Sequence, residues 1–152
     1  MRGEVVLVDT SIFMNTLDVP GWNQHRTEIL KEIEFLEDRE VNLLLPFGVV
    51  FEAGTHISRL RDGRLRRTYA EIFGAQVVAA LEGRAPWEPM AFPERELVGA
   101  WLAAFPDHCM RELSFCDFSI VKEWQSACSK YRLFRVRIWA RDGHLAGYDR
   151  EV

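Results

Sequence analysis

The chain predicts an α/β fold in three layers, a mainly parallel central sheet flanked by helices. Two observations lead there: short apolar runs rich in β-branched residues at Glu4–Asp9 (EVVLVD), Val41–Leu45 (VNLLL) and Leu133–Ala140 (LFRVRIWA), and stretches of helical periodicity between them. A third is size. With 152 residues and 48% hydrophobic composition, the chain suits one compact domain spanning 1–152, with neither internal repeat nor low-complexity linker to divide it.

The first run ends in Asp9, and Thr10 and Ser11 are helix-starting residues, so strand, tight turn and helix follow in succession. A second helix is predicted over 23–38, where Ile29, Ile33 and Leu36 share a side. Pro46 closes the second strand and opens a helix in which Val49, Val50, Ala53 and Ile57 face inward, with Glu52 beside them. After a turn at Asp62-Gly63, further helices are predicted over 65–81 and 94–105. A Pro-rich loop (RAPWEPMAFPE) separates them, and Pro106 is expected to end the second. Asp117 is read as the capping residue of a helix running to Lys130. The alternating strand then leads to Arg141-Asp142-Gly143.

Composition narrows the function. No window approaches the ~20 apolar residues of a membrane span, and the N-terminus lacks the apolar region of a signal peptide, so a cytoplasmic location is expected. Cys109, Cys116 and Cys128 form no C-x-x-C pair, which argues for reduced, partly buried thiols. The net charge of -4 argues against a nucleic-acid partner unless clustered carboxylates are offset by divalent cations.

Asp9 and Asp142 follow predicted strands, where open α/β sheets place their ligand crevices. Glu52 interrupts an apolar helix side. Taken singly, an Asp after a strand is more often a turn or cap residue. Taken together, four carboxylates in one cleft would repel unless cations lay between them, and oxygen-only ligands suit Mg²⁺ or Mn²⁺ and phosphoryl chemistry.

The segments VDTSIFM (Asp9), LPFGVVFEAG (Glu52), LSFCDFSIV (Asp117) and RIWARDGHL (Asp142) resemble, in order, the four motifs of the PIN-domain ribonucleases. That resemblance implies a PIN-like fold, Asp9, Glu52, Asp117 and Asp142 as catalytic metal ligands for Mg²⁺ or Mn²⁺, and Ser11 as a supporting hydroxyl. It implies endonucleolytic cleavage of an RNA substrate. For the VapC-like toxin members it implies a homodimer held by a cognate antitoxin protein. Two departures stand out: Ala140 occupies a position where the family commonly has Thr, and few residues remain after Asp142 for the family's usual last strand.

Rival readings are an Asp-nucleophile phosphatase, disfavoured because Ser11 stands where its second Asp would be, and a PIN-like scaffold or RNA-binding adaptor without catalysis. His56 and His144 are read as a site-wall or surface residue and a loop residue, and Trp101 and Trp124 as core. Arg59, Arg61, Arg64, Arg66 and Arg67 form the candidate RNA-binding track, although a charge run is more often a solvated face.

Overall fold

The protein was analysed as a computed structural model, which describes residues 3–141 and 143–152. Five strands form one sheet: β1 (Glu4–Val8), β2 (Asn42–Leu45), β3 (Trp87–Pro89), β4 (Arg135–Trp139) and β5 (Asp149–Arg150). Their order is β3-β2-β1-β4-β5, with the first four parallel and β5 antiparallel at the edge. Six helices complete the described fold: α1 (Thr10–Thr16), α2 (Arg26–Asp38), α3 (Phe47–Ser58), α4 (Gly63–Leu81), α5 (Arg95–Cys109) and α6 (Phe115–Lys130). This is the predicted α/β class, a mainly parallel sheet flanked by helices.

The central strand explains its own sequence. Val5, Val6, Leu7 and Val8 are all fully buried, as a strand covered on both faces requires. It shares one apolar core with Ile29, Ile33 and Leu36 of α2, Val49, Ala53 and Ile57 of α3, and Ile120, Val121 and Ala127 of α6. Phe13 of α1 meets Trp87 edge to face, with ring centroids 5.6 Å apart.

Strand order places the crevice. The chain runs outward from β1 through β2 to β3, then crosses back so that β4 pairs with the opposite side of β1. Such a reversal leaves a crevice at the carboxyl ends of the two strands flanking it. The last rung between them is the Asp9 amide donating to the Trp139 carbonyl at 3.1 Å.

Several boundaries differ from the sequence reading. The Pro-rich loop contains β3, which pairs in register Leu43↔Trp87 to Leu45↔Pro89. Pro89 is tolerated because β3 is an edge strand, where a missing N–H need break no ladder bond. Pro106 lies inside α5 instead of ending it, and the Met110 amide donates to the Pro106 carbonyl one turn further on. That helix is largely exposed, so water can serve the carbonyl that the proline ring leaves unbonded. Ser114, not Asp117, caps α6: its hydroxyl accepts from the Asp117 amide at 3.0 Å. Helix α4 starts at Gly63, with the Asp62 carboxylate accepting from the amides of Arg64 and Leu65, and α2 starts at Arg26.

Candidate active site

Asp9 sits at the end of β1 and is 3% exposed. It caps α1: Oδ1 accepts from the Ile12 amide at 3.1 Å and from the Ser11 hydroxyl at 2.7 Å. Two donors on one oxygen fix the carboxylate's orientation. The Arg141 amide in turn reaches Ser11 Oγ at 3.4 Å, joining the segment after β4 to the end of β1. Thr10, next to Asp9, is also buried, and its hydroxyl has no hydrogen-bond partner among the described residues.

Helix α3 carries Glu52. Its carboxylate lies 3.6 Å from Nε2 of His56 one turn later, and the His56 ring stacks on Trp22 at 4.3 Å. Helix α6 carries Asp117 in its first turn. The two helices approach closely at Gly48, where a Cβ would fall 2.8 Å from Ser119 Oγ, so a larger residue there would require the Ser119 side chain or the helices to shift.

Cys116 lies at that meeting point, its thiol donating to the Gly48 carbonyl at 3.3 Å. Burial pushes the thiol pKa far upward, and the hydrogen bond to Glu52 and the charges of Glu52, Asp117 and Asp9 push it further. The thiol therefore stays protonated at neutral pH and is no thiolate ligand. Three carboxylates from three separate elements thus act on this one thiol.

All three line a cavity of about 820 Å³ at the carboxyl end of the sheet. Its lining includes Thr10, Ser11, His56 and Arg59 as well. An apolar wall completes the lining, built from Phe47, Phe51, Phe92, Val98, Trp101 and Phe115. Trp101 is thus both a buried residue and part of this wall. Trp124 instead packs against the core, its indole N–H donating to the Val136 carbonyl at 2.9 Å.

One lining acid escaped the sequence reading. Glu123 stands two turns along α6 from Cys116, and burial raises its pKa to about 7. Its spacing from Cys116 and Ser119 was the available signal, since helix residues at such intervals share a side.

The remaining candidates are distributed as follows. Asp142 lies outside the described residues, and among the described ones no three Asp, Glu, His or Cys side chains converge closely enough to hold one ion. The arginine run divides. Arg59 lines the acid cavity, whereas Arg66 and Arg67 line a separate groove between α3 and α4. Arg66 donates to the Leu60 carbonyl and Arg67 pairs with Glu71 at 3.1 Å. Arg61 and Arg64 are exposed. No described helix is long and apolar enough to cross a membrane.

The chain resembles the crystal structure of FitAcB from Neisseria gonorrhoeae, with a TM-score of 0.52 over 90% of this chain and 87% of that one, at 19% identity. The fold is PIN-like. No protein-family model matches the sequence, and no curated protein matches it. The likeness is therefore one of architecture.

Proposed function

We propose that the protein is a divalent-metal-dependent endoribonuclease. One observation carries the reading: Asp9, Glu52 and Asp117, each within a segment resembling a PIN motif, line a single cavity at the carboxyl end of the parallel sheet. The donors fit Mg²⁺ or Mn²⁺ chemically, being hard carboxylate oxygens, with that of Asp9 already oriented by Ser11 and the Ile12 amide. Asp9, Glu52 and Asp117, with Asp142 as a fourth, would hold the ions.

The bound metal would supply an activated water and would stabilise charge on the leaving oxygen. The protein's part is placement. Ser11 and the Ile12 amide hold the Asp9 carboxylate, and Gly48 keeps the Glu52 and Asp117 helices close. Hydrolysis adds water across the phosphodiester, cutting one P–O bond and leaving a phosphate on one product and a hydroxyl on the other.

In this reading Arg59 meets the phosphate chain, being the arginine of the run that lines the cavity. A role as the toxin of a toxin–antitoxin pair, with a cognate antitoxin and a homodimer, rests on the motif resemblance to VapC-like nucleases. The test is incubation with mixed cellular RNA in Mg²⁺, Mn²⁺ or EDTA, followed by mapping of the cut ends. Cleavage that needs the metal and is lost in Asp9→Asn supports the reading. Full activity in EDTA or in folded Asp9→Asn defeats it. RNA binding without cleavage would favour the adaptor role.

A further inference from the structure

The apolar wall has its own order. Phe47 and Phe51 stand one turn apart on α3, and Phe51 directly precedes Glu52. Phe92 comes from the segment after β3 and lies against both: its ring centroid is 4.5 Å from that of Phe47 at 32° and 5.9 Å from that of Phe51 at 57°. Phe51 and Phe92 are nonetheless each 61% exposed. Single exposed apolar residues are ordinary, but a mutually packed group opening into an acid-lined cavity is not.

The cavity asks for a ligand with two unlike parts. Its lining carries Asp9, Glu52, Asp117 and Arg59 together with flat aromatic faces. A single-stranded polynucleotide has both, since its phosphates pair with cations and its unstacked bases present π-faces. An apolar protein helix would fill the aromatic wall but would bury the carboxylates against hydrocarbon, at high cost. In a duplex the bases already stack on one another and offer no free face.

We propose that Phe51 and Phe92 form a base-stacking subsite that seats a nucleobase of single-stranded RNA beside the bond to be cut. The inference deepens the ribonuclease reading and rests on it for the substrate class. Stacking tolerates any base, so the subsite selects for unpaired strand and not for sequence.

The test measures binding of a single-stranded RNA oligonucleotide, free and annealed to its complement, with Ca²⁺ in place of Mg²⁺, alongside cleavage in Mg²⁺. Because both side chains are largely exposed, Phe51→Ala and Phe92→Ala should fold normally. Each should raise the Kd for the single strand by about 5- to 150-fold without changing the salt slope. Phe92→Trp should restore binding and Phe92→Leu should not. The duplex should bind weakly and be indifferent to all four variants. Unchanged Kd values in the alanine variants, with wild-type cleavage intact, would overturn the subsite and leave the nuclease standing. Full binding by Phe92→Leu would overturn it too, pointing to apolar filling such as a protein partner provides. Weakened binding in the variants without any metal-dependent cleavage would sink the nuclease and keep the subsite. A wild type that binds no single-stranded RNA would sink both.

Discussion

The Ser11 hydroxyl donates to Oδ1 of Asp9 at 2.7 Å, and the same oxygen takes the Ile12 amide. A buried carboxylate held in this way is oriented before any ligand arrives. Losing the hydroxyl would leave the charge in place but free its direction.

Ser11→Ala is therefore expected to weaken metal binding by ~10- to 100-fold, the usual cost of removing a group that orients a ligand. Ser11→Thr should retain most of the affinity. Activity titrated against Mg²⁺ and Mn²⁺ reads the shift, and an unaltered metal requirement in Ser11→Ala would deny Ser11 this part.

Capping of α6 separates two neighbours. Ser114→Ala should cost ~1 kcal/mol of stability, lowering the Tm by roughly 2 to 4 °C for a domain of this size. Ser114→Asp should be nearly neutral. Asp117→Asn should abolish cleavage, together with the stabilisation by metal, which for the wild type reaches ~1.4 kcal/mol at ten times the Kd. Thermal melts with Mg²⁺ and with EDTA separate the two effects.

Close packing at Gly48 gives a third expectation. Alanine would gain up to ~1 kcal/mol of helix propensity, but its Cβ would press on Ser119 Oγ at 2.8 Å. Overpacking of that kind typically costs ~1–3 kcal/mol. Gly48→Ala should thus lower stability and activity together, by forcing α3 and α6 apart. Adding Ser119→Ala should recover part of both. A double variant no better than the single one would show that the contact at Ser119 is not what limits the approach.

Glu123 gives a pH dependence of definite sign. Its folded-state pKa of about 7 lies above the unfolded value of ~4.3, so the folded chain binds the extra proton between those values. The resulting stability is fully present below the unfolded pKa and is lost as pH rises through the folded one. The group is partly exposed, so the change should not exceed ~1–2 kcal/mol. In EDTA, wild-type Tm minus that of Glu123→Gln should fall between pH 4.5 and 7 and then level. A constant difference would show that the carboxyl titrates normally.

Much of the fold is legible in the sequence because β1 and the inner sides of α2 and α3 carry unbroken apolar patterns that allow only one arrangement. Strand β3 is not. Trp87-Glu88-Pro89 has neither length nor alternation, and only pairing with Leu43–Leu45 makes it a strand. Pro106 misleads because a helix exposed to water can absorb a proline that a buried one could not. Asp117 conceals Ser114, since either could cap. The motif order pointed to Asp9, Glu52 and Asp117. Glu123 left only the weak signal of its helical spacing from Cys116 and Ser119, and the aromatic wall was out of reach, because its make-up depends on how distant elements pack.

The reversal in strand order bears on how the molecule is made. Val5–Val8 of β1 pair on one side with residues near position 43 and on the other with Val136–Trp139, and Glu4 meets Arg137 across 133 positions at 2.7 Å. During synthesis from the N-terminus, β1 can acquire β2 early, but its other edge stays bare until β4 leaves the ribosome. Contacts this distant in sequence are slow to close, and a bare strand edge invites pairing with other chains. The Arg141–Ser11 contact beside Asp9 belongs to the same late step. Until β4 emerges, that edge of β1 is where the nascent chain is most prone to pair with other chains.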